Sequence, residues 1–139
     1  MSTVLANVSC VSIGGRGVLI EGPPGSGKSS LALALIDRGA VLIGDDGVTL
    51  EERQSRLWAS PPPNIAALLE VRNVGLVAFP TCSAPLALAI RLDETAPRSI
   101  EGAERVARAG HELPLVALYP ESPALPLRAE FALAVHGLS

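Results

Sequence analysis

An eight-residue segment rich in glycine constrains this chain more than any other feature of its sequence. Residues 22–29 read GPPGSGKS and match the pattern G-x-x-x-x-G-K-[S/T] in full. The short apolar run 17–21 precedes the segment, and the run 29–38, apolar with Gly39 directly after it, follows. A buried strand, a glycine-rich loop and a helix in this order indicate a phosphate-binding loop within an α/β fold.

Each residue type in this loop suits phosphate. Gly22, Gly25 and Gly27 allow the backbone to approach phosphate oxygens closely, because no Cβ intervenes. Loop amides and the N-terminus of the following helix point at the anion, and the helix dipole adds partial positive charge. The pattern then predicts that Lys28 contacts the β- and γ-phosphates and that Ser29 binds Mg²⁺ through its hydroxyl.

The basic residues of the chain favour the same interpretation. Ten of the eleven are arginine, and Lys28 is the single lysine. A genome rich in G and C produces such a bias without any functional cause. The exception, however, stands where a compact ammonium suits a cramped phosphate site better than a planar guanidinium.

Length, charge and composition exclude several other classes of protein. The 139 residues predict one domain spanning 1–139. A hydrophobic fraction of 48% with 18% charged residues argues against disorder, and the net charge of −3 argues against a nucleic-acid partner. No apolar run is long enough for a membrane span and no secretory signal is visible, so we expect a cytoplasmic protein without membrane attachment.

Two adjacent carboxylates form the second candidate element. Asp45 and Asp46 follow the short apolar strand predicted at 41–43. Ligands of open α/β sheets bind beyond the carboxyl ends of strands, where we expect the glycine-rich loop as well. One carboxylate of the pair can hold Mg²⁺ while the other accepts a proton. Because adjacent residues on a strand face opposite sides, we expect the two aspartates to be inequivalent. An ordinary D-D-G turn is the alternative.

The third candidate is the segment 69–75, LEVRNVG. Glu70 and Arg72 occupy alternate positions and would share one face of a strand. Glu70 could bind the metal, and Arg72 could pair with Glu70 or with phosphate. A cross-strand salt bridge on the surface explains the two charges equally well.

The rest of the chain predicts strands with a few helices. The expected elements are a strand or strand pair over 4–13 that ends at Gly14-Gly15, a hairpin of 48–50 and 57–59, a helical turn at 65–68, strands at 69–71, 74–79, 86–92 and 115–118, and helices at 100–109 and 127–135.

Three of these motifs together resemble a known family. The string GVLIEGPPGSGKSSLALALIDRGAVLIGDDGV, followed by LLEVRNVGLV, is similar to the catalytic domain of HPr kinase/phosphorylase, over residues 4–92 and more weakly beyond. The resemblance implies a P-loop kinase core with a mixed β-sheet and flanking helices, as in HPr kinase and PEP carboxykinase. It also implies Mg²⁺- and ATP-dependent phosphorylation of a serine on an HPr-like phosphocarrier protein, the reverse dephosphorylation, and a homo-oligomer such as a hexamer.

The resemblance assigns roles residue by residue. Lys28 matches the phosphate-binding lysine, and Ser29 and Glu70 match the Mg²⁺ ligands. Asp46 matches the carboxylate that accepts the proton of the target serine, and Asp45 matches its partner near the metal. The implied nucleotide-binding residues are Gly22, Pro23, Pro24, Gly25, Ser26, Gly27, Lys28, Ser29, Ser30 and Arg72.

The chain departs from the family pattern at three places. Asn7 stands where long forms of the family carry a catalytic histidine, and Ser30 replaces a commonly acidic residue. A late catalytic arginine has no certain match, although Arg108 and His111 fall near its position. In the family this arginine lies in a loop that is linked to dephosphorylation. The sequence therefore predicts the kinase reaction more firmly than the reverse one.

Two rival functions use the same phosphate site. One is a kinase acting on a small molecule, which would need a closed pocket with a lid. The other is a nucleotide-binding regulatory module that has lost catalysis, for which Asn7 is the main support.

Overall fold

The structure, a computed structural model, describes residues 2–63 and 68–139. These residues form eleven strands and two helices. In chain order they are β1 (Ser2–Ala6), β2 (Ser9–Ile13), β3 (Arg16–Glu21), α1 (Lys28–Asp37), β4 (Val41–Gly44), β5 (Gly47–Arg53), β6 (Arg56–Ser60), β7 (Leu68–Val71), β8 (Gly75–Ala78), β9 (Ala84–Leu92), β10 (Glu104–Arg108), β11 (His111–Leu118) and α2 (Leu125–His136).

Nine of the strands form one mixed sheet. Its main path runs β1-β5-β6-β9-β3-β2-β4, and β11 also pairs with β9 while β10 pairs with β11. The central strands β3, β9 and β11 are parallel, whereas the outer pairings are antiparallel. Strands β7 and β8 form a separate antiparallel hairpin. The predicted α/β architecture with a mixed sheet and flanking helices is confirmed.

The sheet has an apolar layer on each of its faces. Val18 and Ile20 of β3 join the layer that also contains buried residues of both helices and Leu69 of β7. Leu19, between them, points into the opposite layer, which β5 and β6 help to form. Because β3 is buried on both faces, its end is held firmly where the glycine-rich loop begins.

Two of the three predicted helices, those at 29–38 and 127–135, are present as α1 and α2. Helix α1 starts at Lys28, immediately after Gly27 in the left-handed region at φ 101°, and Gly39 at φ 109° follows its end. It buries Leu31, Ala32 and Leu35 against the sheet. In the part of the chain that the structure describes, no helix is long and apolar enough to cross a bilayer.

Most of the predicted strands are also confirmed. The region 4–13 contains two strands that do not pair with each other, since β1 pairs with β5 and β2 lies between β3 and β4. The predicted hairpin is β5–β6. Of the helical turn expected at 65–68, residues 65–67 lie outside the described residues, and Leu68 begins β7.

The helix predicted at 100–109 is wrong. Residues Glu104–Arg108 form the edge strand β10, which pairs antiparallel with β11 in the register Val106↔Leu113. The charged residues Glu104 and Arg105 are exposed there, while Val106 packs against the second apolar layer. Pairing with β11 therefore outweighs the local helix propensity of the charged, alanine-containing segment.

Candidate active site

The loop between β3 and α1 is tightly built. A Cβ on Gly22 would lie 2.6 Å from the Oγ of Ser26 and 3.2 Å from the Cβ of Leu92, so a side chain there would force the turn to shift. The amide of Ser26 donates to the carbonyl oxygen of Pro23 at 3.1 Å and closes a turn. The hydroxyl of Ser26 is buried without a hydrogen-bond partner among the described residues. An unpaired donor enclosed by a glycine-rich turn fits a ligand that carries acceptor oxygens, such as a phosphate.

The same loop holds Lys28. Its ammonium nitrogen Nζ donates to the carbonyl oxygen of Gly22 at 2.7 Å and to that of Pro23 at 3.3 Å. An ammonium has three protons, and two carbonyl acceptors leave one for a further partner. The loop therefore keeps a positive charge at the first turn of α1, beside the amides expected to face an anion.

One cleft collects most of the predicted functional residues. It has a volume of about 390 Å³ and lies where the loop and α1, the corner between β4 and β5, and the β7–β8 hairpin meet. Its lining comprises Ser9, Lys28, Ser29, Asp45, Asp46, Leu68, Glu70 and Leu76. The five residues to which the sequence assigned catalysis or metal binding are thus brought to a single site.

Asp45 is held by two hydroxyl groups. Its Oδ1 atom accepts a hydrogen bond of 2.6 Å from Ser9 and one of 2.8 Å from Ser29. The carboxylate is half-buried. These bonds fix the side chain next to the start of α1, where the loop presents Lys28.

Asp46 has a different environment. It is exposed, adopts a left-handed backbone at φ 62°, and accepts the backbone N–H of Asn7 on its carbonyl oxygen at 3.1 Å. No side-chain hydrogen bond to Asp46 occurs within residues 2–63 and 68–139. The two aspartates lie at the bend after β4, not on a strand, and therefore line the same cleft instead of facing opposite sides. Their hydrogen bonding, and not a strand face, makes them inequivalent.

The oxygen donors of the cleft fit Mg²⁺. They are the hydroxyl of Ser29 and the carboxylates of Asp45, Asp46 and Glu70, and Mg²⁺ prefers hard oxygen ligands. No three His, Cys, Asp or Glu side chains of the described residues form a cage that could hold a metal by themselves. Mg²⁺ usually takes one or two carboxylates together with phosphate oxygens of a substrate.

The structure separates Arg72 from this cleft. Strand β7 ends at Val71, and Arg72 lies exposed in the turn that Asn73, at φ 70°, helps to form. The prediction that Glu70 and Arg72 share a strand face is therefore wrong, and no ion pair joins them in the described parts of the chain. The tight connection to β8 turns the backbone after Val71, so the strand face that Leu68 and Glu70 share does not continue to Arg72.

A second cleft adjoins the loop, and no motif in the sequence predicted it. Its volume is about 470 Å³, and it is lined by Pro23, Pro24, Gly25, Ser26, Arg91, Leu92, Asp93, Glu94, Thr95 and Pro120. Hydrogen bonds from the hydroxyl and amide of Thr95 lower the pKa of Asp93. Four of the predicted nucleotide-binding residues therefore line a space distinct from the carboxylate cleft.

The two late candidates, Arg108 and His111, do not line the carboxylate cleft either. Arg108 donates from Nε and Nη2 to the two carboxylate oxygens of Glu21 at 2.7 and 2.6 Å, which raises the pKa of the guanidinium. The Nε2 atom of His111 lies 2.8 Å from Glu52. Both side chains are thus engaged by carboxylates outside the site.

Fold and site together define a class of protein. It is an α/β protein whose central parallel strand leads through a glycine-rich loop into a helix, with a lysine and a serine at the loop facing an aspartate pair across one cleft. The family model of the HPr Serine kinase C-terminal domain matches residues 2–83, more than half of the chain. The chain belongs to this family.

Individual relatives agree with this assignment. The HPr kinase/phosphorylase of Clostridium tetani is 42% identical over 71 residues, which are 51% of this chain and 23% of that protein. The HPr kinase/phosphorylase of Streptococcus thermophilus is 44% identical over 68 residues, 48% of this chain and 22% of the relative. The alignments thus span less than a quarter of the length of these relatives.

The structural likeness extends further along the chain. The structure of the Hpr(Ser) kinase/phosphatase from Coxiella burnetii has a TM-score of 0.80 and 26% sequence identity. The match covers 95% of this chain and 88% of the other. It therefore includes the C-terminal third, where the sequence resemblance is weak.

Proposed function

We propose that this chain is a protein kinase that transfers the γ-phosphoryl group of ATP, with Mg²⁺, to a serine hydroxyl of an HPr-like phosphocarrier protein. The observation that carries the proposal is the single cleft shared by Lys28, Ser29, Asp45, Asp46 and Glu70. Membership in the HPr Serine kinase C-terminal domain family supports the choice of acceptor.

In this proposal the loop and the start of α1 bind the phosphates. Lys28 and the loop amides place positive charge where negative charge develops on the transferred group. Ser29 and Glu70 would hold Mg²⁺, which would neutralise part of the negative charge of the phosphates. The enclosed turn at Gly22 and Ser26 supports a nucleotide-binding role for the remaining loop residues.

The two aspartates then divide the remaining work. Asp46, exposed in the cleft, accepts the proton of the acceptor serine as the serine oxygen bonds to the γ-phosphorus. The bond from that phosphorus to the bridging oxygen breaks, and ADP leaves. Asp45 is committed to the hydroxyls of Ser9 and Ser29, so it orients the metal ligand and does not serve as the base.

The reverse reaction would use the same residues, with Asp46 returning the proton. The named relatives are called kinase/phosphorylase or kinase/phosphatase. In this chain Arg108 and His111 pair with Glu21 and Glu52 away from the cleft, and Asn7 is joined to Asp46 through its backbone. We therefore propose phosphorylation as the main activity.

The test is phosphotransfer measured with defined partners. The chain is incubated with Mg-ATP labelled at the γ-phosphate and with HPr, and phosphoserine is quantified beside an established HPr kinase. An HPr variant whose target serine is replaced by alanine is the matched control. Absence of phosphoserine where the established kinase is active would contradict the proposal. Transfer to a metabolite without HPr would instead support a small-molecule kinase, and nucleotide binding without any transfer would support a regulatory module.

We further propose that the chain self-associates. Helix α2 exposes Leu127, Phe131 and Val135, at 42, 69 and 70% of their surface, at every fourth position and therefore on one face. Contiguous exposed apolar side chains are typical of contact surfaces. Sedimentation velocity of the wild type and of Phe131→Glu tests this, since the charge is expected to shift the distribution towards monomer.

A further inference from the structure

Ser9 is a buried hydroxyl with a defined acceptor in the candidate site. The residue is 1% exposed at the start of β2, yet it lines the carboxylate cleft. Its Oγ atom donates to Oδ1 of Asp45 at 2.6 Å. Because a residue so fully buried has little access to water, the hydroxyl of Ser9 depends on this bond for its partner.

The oxygen atom that accepts from Ser9 also accepts a second hydrogen bond, which links Ser9 to the predicted metal ligand Ser29. Ser29 also donates to Oδ1 of Asp45, at 2.8 Å. A hydroxyl has one proton, so Ser29 directs that proton at Asp45 and leaves its lone pairs for another partner. An oxygen oriented in this way is ready to bind a cation. The orientation lasts only while the carboxylate of Asp45 itself is fixed.

The backbone explains how residues far apart in sequence meet here. Strand β2 pairs with β4 so that Cys10 lies opposite Gly44, with an irregularity in the register before Val11. This pairing sets Ser9 beside Asp45, the residue after β4. The backbone N–H of Asn7 also donates to the carbonyl oxygen of Asp46, which is a second hydrogen bond between the segment before β2 and the bend after β4.

We propose that Ser9 is a positioning residue: it locks the carboxylate of Asp45, and Asp45 in turn orients the Ser29 hydroxyl for Mg²⁺. The inference rests on the proposed function, because it assumes that Mg-nucleotide binds at Ser29. Groups that orient a metal ligand from outside the coordination shell change metal affinity or activity by about 10–100-fold when removed.

The experiment compares Ser9→Ala with Ser12→Ala in the full chain. Ser12 is buried on the same strand, at 5% exposure, and is not among the described residues that line the cleft. Mg-ADP binding is measured by calorimetry over a series of Mg²⁺ concentrations, with thermal melting as a check on folding. Ser9→Ala is expected to raise the Mg²⁺ concentration needed for half-maximal binding by about tenfold, and Ser12→Ala by less than about twofold.

A second pair of variants separates positioning from a general structural effect. If Ser9 acts through Ser29, then Ser9→Ala in a Ser29→Ala background changes the Mg²⁺ requirement by less than about twofold. Equal effects of Ser9→Ala and Ser12→Ala, or the same loss in both backgrounds, would overturn the inference. A wild-type chain that binds Mg-ADP but phosphorylates no acceptor would overturn the proposed kinase function alone, because the binding comparison still decides the role of Ser9.

Discussion

Arg108 and Glu21 form a bidentate ion pair, with guanidinium nitrogens 2.7 and 2.6 Å from the two carboxylate oxygens. Glu21 is the last residue of β3, directly before the glycine-rich loop, and Arg108 is the last residue of β10. Their side chains are only 16% and 27% exposed. The pair therefore ties the C-terminal part of the sheet to the junction from which the loop departs.

Removal of Arg108 is expected to destabilise the protein. Arg108→Ala leaves the largely buried carboxylate of Glu21 without its partner, and we expect the free energy of unfolding to fall by about 1–3 kcal/mol. Urea denaturation measures this change. Arg105→Ala, at an exposed position of the same strand, is the control and is expected to change it by less than about 0.5 kcal/mol. A double-mutant cycle with Glu21→Gln that shows no coupling would contradict the role of the pair.

Asp46→Asn is expected to abolish phosphotransfer while nucleotide affinity stays within about threefold. The amide is close in shape to the carboxylate but cannot accept the serine proton, and general-base catalysis contributes about 10²–10⁴-fold to the rate. Single-turnover transfer to HPr and calorimetry with Mg-ADP measure the two properties separately. Asp45→Asn is the contrasting variant, since loss of a carboxylate bound to Ser29 should weaken Mg-nucleotide binding as well. If Asp46→Asn kept its activity, another group would have to be the base.

Gly22→Ala tests the close packing of the loop. The new Cβ would meet the hydroxyl of Ser26 at 2.6 Å and the Cβ of Leu92 at 3.2 Å, so the turn must shift. We expect a loss of about 1–3 kcal/mol in stability and about tenfold weaker nucleotide binding. Gly102→Ala is the matched control, because nothing lies within 4 Å of its Cβ position. Equal melting temperatures and affinities for the two variants would show that the loop tolerates a side chain at Gly22.

The stability of the protein is expected to depend on pH through Asp93, which lines the second cleft. Hydrogen bonds from Thr95, and the more distant guanidinium of Arg91, hold the pKa of Asp93 below its ordinary value of 3.8. Their stabilisation is complete above that ordinary pKa and is lost as the pH falls through the lower pKa of the folded protein. Thr95→Val is therefore expected to raise the pKa of Asp93 and to lower the melting temperature at neutral pH, with the difference vanishing in acid.

NMR titration of the Asp93 carboxyl carbon and melting curves at several pH values measure these effects. Thr3→Val, at an exposed position of β1, controls for the change of residue type. An unchanged Asp93 titration in Thr95→Val would show that the hydroxyl does not set this pKa.

Local patterns in the sequence predicted the core of the fold correctly. The strand–loop–helix unit depends on short-range rules, namely an apolar run, glycines at positive φ and a glycine after the helix, and all of its parts are present. The prediction of a helix at 100–109 failed because pairing of this edge strand with β11 is a tertiary interaction that local helix propensity does not encode. The expectation that Arg72 shares a strand face with Glu70 failed because β7 ends at Val71 and the turn to β8 follows directly.

The candidate site shows the same division. By itself the sequence determined that Lys28 and Ser29 stand together in a motif typical of phosphate binding, because their spacing is a local property of the chain. Only the tertiary structure decided how Asp45 and Asp46 differ: Asp45 accepts hydrogen bonds from the hydroxyls of Ser9 and Ser29, while Asp46 is exposed at a bend with a left-handed backbone. Ser9 is 36 residues from Asp45 and has no motif of its own. The pairing of β2 with β4 brings the two together, and that pairing depends on the packing of the whole sheet.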